Sequence, residues 1–189
     1  ITLTLTEGDS ASLSEKLLQR QLDFVLEAEP LPEGKIQSVA WATEEIVLAV
    51  PARFPINRTL AEYCYSFDEL LKRSEPGGKK PPVPLRAFQE EPFLLLQKNN
   101  DLYQRGMELC RHAGFTPKPA VFLTQMMTAY YLVCEGQGVS FLRASIPEYV
   151  APTDSVVFYQ LDDPLALWPI YLSYLERSSS PVQRKLLDF

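Results

Sequence analysis

Apolar and polar positions alternate at the start of the chain, Ile1-Thr2-Leu3-Thr4-Leu5-Thr6, which is the pattern of a strand with one buried face. Glu7-Gly8-Asp9-Ser10 then turns the chain, and Leu13, Leu17 and Leu18 follow at helical spacing. Ser10 is one N-cap for that helix; Ser12 with Glu15 also matches a capping box, so both starts stay open. Residues 22–27 read as a buried strand after the helix. Strand, helix and strand in succession predict a βαβ unit with parallel pairing and a right-handed crossover.

Pro30, Pro32 and Gly34 mark a loop, and two strands are predicted over 36–41 and 45–50, the second ended by Pro51 and Pro55. Residues 59–73 carry Leu60, Tyr63, Cys64, Phe67, Leu70 and Leu71 at three- and four-residue spacing, which predicts a helix. The run 74–82 holds Pro, Gly and Lys; it reads as a domain linker or, since the alternation of strand and helix resumes beyond it, rather as a mobile surface loop. Residues 92–97 form an apolar run of buried-strand length. Asn99, Asn100 and Asp101 supply caps for a helix burying Leu102, Gly106, Leu109, Cys110 and Ala113, with Gly114 and Pro117 as its stop. A short strand at 120–123 leads through Thr124 and Gln125 into a helix with Met126, Tyr130, Val133 and Cys134 facing inward, closed by Gly136-Gln137-Gly138. Short strands at 139–142, 155–161 and 167–175 follow, and Ser179-Ser180-Pro181 caps a last helix over 182–189.

Composition narrows the chemistry. The 189 residues are 46% hydrophobic and 22% charged, which excludes a disordered chain. With 18 basic against 24 acidic residues the net charge is −6, and clustered cations for a nucleic-acid backbone are missing. The length fits one domain or two small lobes. No run of 18 apolar residues exists to span a membrane. The three cysteines (Cys64, Cys110, Cys134) include no CxxC, and with one histidine they make no recognisable zinc site, so they read as buried free thiols of a reducing compartment. His112 lies in a basic helix end, Arg111-His112-Ala113-Gly114, where a cation suits the helix dipole.

Three strand-to-helix turns carry polar caps at Ser10, Asn100 and Thr124. Helix starts of this kind present unpaired backbone N–H groups and a positive dipole end, a setting for a carboxylate or another anion; in open α/β sheets ligands gather at these strand ends. Asp101 beside Asn100 suits an amine or hydroxyl instead. The adjacent pairs Glu44-Glu45, Glu90-Glu91 and Asp162-Asp163 put neighbouring carboxylates on opposite faces of a strand, so they read as solvated charge and not as a catalytic pair. Gly136-Gln137-Gly138 lacks the third glycine of a dinucleotide fingerprint and follows a helix, not a strand. The aromatic and methionine positions Met126-Met127 and Tyr130-Tyr131 read as core stripe.

The chain also resembles a family. Leu5-Thr6-Glu7-Gly8-Asp9-Ser10, Leu17 and Gln21-Leu22-Asp23, then Glu44–Pro51 with Phe54-Pro55, are similar to stretches of LysR-type transcriptional regulators. Val83-Pro84-Leu85 with Glu91–Leu96, Ala113–Pro117, and Leu132–Leu142 continue the likeness in the same order. Departures are Arg143 where the family usually has Pro, Arg20 where it has Gly, Phe54 where it has His, and a longer connection over 57–82.

The resemblance implies an α/β fold of two Rossmann-like lobes joined by two crossover strands, similar to type 2 periplasmic binding proteins. Residues 1–43 and 166–189 would form the first lobe and 44–165 the second, with 57–82 as a helix-plus-loop insertion. It implies a small effector, polar or carboxylate-bearing, in the interlobe cleft, touched by Ser10 on the first lobe, by Asn100, Asp101, Leu102, Thr124 and Gln125 on the second, and by Trp168 on the returning strand. It implies no catalytic residue, no cofactor and no metal. Promoter DNA would be held by an N-terminal winged helix-turn-helix outside these residues, in a cytoplasmic homodimer or homotetramer without membrane contact. On this reading the chain is a fragment lacking also the first strand and helix of its effector domain. The alternatives are an extracytoplasmic solute-binding protein of the same architecture feeding a transporter, and an enzyme on that fold acting on a cyclic carboxylic acid.

Overall fold

The computed structural model describes residues 2–31, 34–73 and 80–175, so the expected helix at 182–189 and most of the loop at 74–82 lie outside the described residues. Two compact units arise. Residues of Ile1–Thr43 and Pro169–Phe189 make the first, and Glu44–Trp168 the second.

In the first unit, helix α1 (Ser10–Leu18) packs on strand β1 (Val25–Glu27). A small core of Leu17, Val25, Leu31, Ile36 and Leu175 is flanked by Leu13 and Leu22. β1 pairs antiparallel with β8 (Leu167–Leu175), opposing Val25 to Ser173 and Glu27 to Tyr171. Ser38 and Ser173 share a hydroxyl hydrogen bond of 2.8 Å.

Two expectations fail here. Residues 2–6 form no strand, and Leu3 and Leu5 are 89% and 82% exposed; an alternating run becomes a strand only beside a partner that covers its apolar face, and none stands there among the described residues. The predicted parallel βαβ unit is therefore absent, and β1 takes an antiparallel neighbour. Ser10 is not the cap of α1 either. Asp9 holds that place, its carboxylate accepting from the Ser12 amide at 2.9 Å, and Ser10 is the first helical residue.

Strand β2 (Ile36–Pro51) runs unbroken where two strands were expected. Around the expected break, Trp41 is aromatic and Thr43 β-branched, and both types favour extended backbone; no glycine or proline stands there to turn the chain. Its second half is the spine of the second unit: residues 46–49 pair antiparallel with β6 (Ser140–Arg143), and 47–51 with β7 (Val156–Gln160) on the other side. A strand flanked on both edges and covered on both faces must be continuously apolar, which Ile46-Val47-Leu48-Ala49-Val50 is.

The predicted helix over 59–73 is replaced by shorter pieces: α2 (Ile56–Thr59), a 3-10 turn (Ala61–Tyr63), β3 (Cys64–Tyr65) and α3 (Phe67–Leu71). Ser66 is the reason. It accepts from the Glu69 amide at 3.2 Å while Glu69 accepts from the Ser66 amide at 2.8 Å, a reciprocal capping box that starts a new helix. That frees Cys64 and Tyr65 to pair with β7. The Tyr159 hydroxyl donates to Asn57 at 2.8 Å, and Asn57 donates to the carbonyls of Pro51 and Ala52. A buried ion pair between Arg73 and Glu45 fastens the end of this region to β2, and the Arg73 guanidinium lies 5.7 Å from the Tyr65 ring centre.

The remaining elements follow the expected pattern, except that Tyr131, expected in the core, is exposed. β4 (Pro92–Leu96) pairs parallel with β5 (Lys118–Leu123), connected by α4 (Asp101–His112), and α5 (Met126–Cys134) leads from β5 to β6. Gly106 lets α4 approach closely, since a Cβ there would sit 2.5 Å from the Phe141 ring. Gly136, with φ of 72°, ends α5 in a left-handed turn closed by Gly136 N–H to Val133 O and Gln137 N–H to Leu132 O.

Because Glu45 and Arg73 are both nearly sealed from solvent, removing one leaves the other charge unpaired in the interior. Glu45→Ala is expected to lower the unfolding free energy by about 3–5 kcal/mol, measured by urea denaturation, whereas Glu62→Ala, an exposed position in the same region, should change it by no more than about 0.5 kcal/mol.

Candidate functional site

Parallel pairing sets the geometry of the second unit. β4 and β5 point the same way, so their carboxyl ends lie at one edge, and each hands the chain to a helix there. The Gln97 amide donates to Leu123 O at 2.9 Å, which ties the two strand ends together. Val139, just before β6, bridges Phe93 in parallel, and the Ser140 hydroxyl donates to Leu94 O at 2.7 Å, so Arg143 at the end of β6 reaches the same edge.

At the start of α4, Asn100 is the N-cap, its side-chain oxygen accepting from the Leu102 amide at 2.9 Å. Asp101 is exposed in the first turn. Leu102 is 4% exposed, with its side chain in the core and its amide already used by Asn100. It anchors the turn and offers little to a ligand directly. α5 starts differently. Gln125, not Thr124, occupies the cap position, and its side chain makes no capping hydrogen bond. Thr124 and Gln125 are both exposed. The first amides of α5 are thus left for a partner outside the helix, with the positive end of the dipole behind them.

Charge at this edge is mixed. Arg143 donates to Glu44 at 3.0 Å and stands 3.7 Å from Asp101. One turn along α4 from Asp101, the Arg105 guanidinium lies 4.4 Å from the centre of the Trp168 ring, within cation–π range. Trp168 is 5% exposed and its indole N–H has no acceptor among the described residues. Five of the expected residues, Asn100, Asp101, Leu102, Thr124 and Gln125, therefore converge on one strand edge, and Trp168 is linked to it through Arg105. Ser10 belongs to the first unit, exposed on the first turn of α1.

Arg143, Glu44 and Arg105 were not among the expected site residues. Arg143 had a visible signal, a lone cation closing an apolar strand. Arg105 had none beyond its helical position. Of the paired carboxylates only Glu44-Glu45 lies on a strand, where the two take opposite faces and are not solvated charge: Glu44 meets Arg143, while Glu45 is buried on Arg73; Glu90 and Asp162 are exposed, as expected. Asp163 likewise accepts from the Leu165 amide at 2.8 Å and faces His112 Nδ1 at 2.7 Å.

None of the three thiols is activated as a nucleophile. Burial pushes the Cys110 thiol up to about 12, and the Cys64 and Cys134 thiols also rise, chiefly by burial; a thiol held protonated is a poor nucleophile. Burial raises the phenols of Tyr130 and Tyr159 too. Among the described residues no group of three or more His, Cys, Asp or Glu is placed to hold a metal, and no helix is long and apolar enough to cross a membrane.

Known proteins resemble this chain. The family described as the LysR substrate binding domain matches residues 1–189. The uncharacterized HTH-type transcriptional regulator YcgK of Bacillus subtilis is 28% identical over 141 residues, 74% of this chain and 42% of that protein. A probable hydrogen peroxide-inducible genes activator of Mycobacterium leprae is 27% identical over 157 residues, 82% of this chain and 42% of that protein. The chain thus spans less than half the length of these relatives. Among solved structures, the BenM effector binding domain with its effector benzoate superposes with a TM-score of 0.67 at 19% identity, covering 97% of this chain and 77% of that one. This likeness shows the fold, the two-lobed α/β architecture of such domains.

Two outcomes follow for stability. Asn100→Ala should cost about 1 kcal/mol through the lost cap, and Thr124→Ala almost nothing, in thermal or urea unfolding. For Cys110, the unfolded thiol ionises near its ordinary value of 9.0 while the folded one stays protonated to about 12. Its folded value is raised, so its contribution is whole below pH 9 and is lost as pH climbs toward 12. The decline in stability over that window should be shallower in Cys110→Ala.

Proposed function

The chain belongs to the LysR substrate-binding domain family, and from that premise we propose that it is the effector-sensing part of a DNA-binding transcription regulator of the cytoplasm. The observation that carries this reading is the strand edge where α4 and α5 both begin, one capped by Asn100 and the other without a side-chain cap. A small carboxylate-bearing metabolite fits there. Its carboxylate takes the first amides of α5 and the free side of Arg143, and its hydroxyl or amine groups take Asp101, Thr124 and Gln125. Leu102 backs the pocket, and Trp168 closes it under Arg105. Ser10, exposed on the first turn of α1, is a further residue proposed to touch the effector.

DNA is held elsewhere in this reading, because this segment is acidic and lacks clustered cations. The effector acts by linkage: it shifts DNA affinity only as far as it binds one arrangement of the regulator better than the other. Association with a second copy, as dimer or tetramer, is supported by β5, which among the described residues pairs only with β4 and on which Val121 and Phe122 are exposed. Both curated relatives described above are transcription regulators by name, which favours a regulator over a solute-binding protein feeding a transporter.

Calorimetry on the full-length regulator with a panel of small carboxylates, benzoate included, tests the reading. At least one should bind, and Thr124→Ala, Ser10→Ala and Arg143→Gln should each weaken it about tenfold, the worth of one good hydrogen bond. Binding by no member of the panel, or binding that ignores all three substitutions, would sink it.

A further inference from the structure

The opposite end of α4 borders a cleft, within the second unit, of about 280 Å³ and open to solvent. Small-molecule sites begin at about 300 Å³, so this one has room for a ligand the size of a single amino acid. Its apolar surface comes from Val83, Leu85, Leu109 and Leu161, all at least nine-tenths buried as residues. Around that surface stand four ionisable side chains, and they are not equivalent. His112 and Asp163 are paired with each other at 2.7 Å, and Asp163 also accepts from the Leu165 amide, so this pair forms a fixed wall. Arg86 and Asp162 are exposed, and among the described residues neither side chain has a hydrogen bond or ion partner. The Arg86 guanidinium lies against Gly114, the left-handed residue that ends α4, where a Cβ would crowd it at 3.2 Å.

We propose that this cleft is a binding site for a small zwitterion with an apolar body, of the class of the aliphatic or aromatic α-amino acids. A free guanidinium and a free carboxylate beside an apolar surface select for a ligand that brings a carboxylate, an ammonium and a hydrocarbon side chain together. Arg86 takes the carboxylate, for which its planar fork is suited. Asp162 takes the ammonium, helped by the negative end of the α4 dipole. The hydrocarbon part covers Leu85, Leu109 and Leu161. A simple anion is disfavoured by Asp162 and the helix end, and a simple cation by Arg86. The site is separate from the strand edge where α4 begins, and it stands whether or not that edge binds an effector.

The test is a titration of the isotope-labelled full chain with L-leucine and L-phenylalanine, followed by amide NMR. Isoamylamine and isocaproate serve as probes lacking the carboxylate and the amine. Saturable shifts are expected at Leu85, Arg86, Ala113 and Asp162, with both truncated probes binding at least about tenfold more weakly. Arg86→Gln and Asp162→Asn should each weaken leucine by a similar factor. Both positions are exposed, and unchanged thermal unfolding will confirm that the variants fold. The proposal is overturned if neither amino acid produces saturable shifts at millimolar concentration, or if a truncated probe binds as well as leucine. Shifts confined to the start of α4 and α5 would overturn it too, while supporting the effector site.

Discussion

Parallel pairing of β4 with β5 is the constraint on which the second unit depends. Parallel strands cannot be joined by a tight turn; the chain must leave one carboxyl end and cross back before entering the next strand. α4 makes that crossing, and Gly106 brings it down onto Phe141. The same constraint gathers the strand ends, and therefore the helix starts, at one edge. Polar backbone that would be costly to bury is thereby concentrated where a ligand can satisfy it. Neither cap alone makes a site. Their meeting at one edge, beside Arg143, is what makes it a candidate.

Around that edge, charge is arranged by pairing and not by solvation. Glu44 and Glu45 are neighbours on β2 yet serve different ends, because a strand sends them to opposite faces. Glu45 fastens the region after β2 through Arg73, while Glu44 holds Arg143 beside Asp101. At the far end of α4, His112 and Asp163 fix the helix to the segment that leads into β8. The helix is thus tied at its start to the candidate effector site and at its finish to the returning chain.

Much of this was legible in the residues. β4, α4, β5 and α5 follow from apolar runs of strand length, from Asn100 as a cap, and from Gly114 and Gly136 as stops, all local signals that tertiary packing did not oppose. The βαβ unit at the start was not legible, because the alternation of Leu and Thr over residues 2–6 describes what a strand needs, not whether a neighbour exists to pair with it. The single helix expected over 59–73 failed for the reverse reason. Its periodicity is real, but Ser66 and Glu69 form a cap inside it, and Tyr65 is better placed as a β partner of Phe158 than as a helical residue. Within the site, cap types could be read and the cap of α5 was displaced by one residue, from Thr124 to Gln125. Arg105 stayed hidden, because its place over Trp168 joins residues 63 positions apart in sequence, and no local pattern encodes that.

The central claim is the uncapped start of α5 as the seat of an effector carboxylate, and amide hydrogen exchange reads it directly. With a bound carboxylate effector, the amides of Met126, Met127 and Thr128 should exchange more slowly, while those of β7 are unchanged. Unaltered exchange at these three amides, with protection appearing elsewhere in the chain, would contradict that claim.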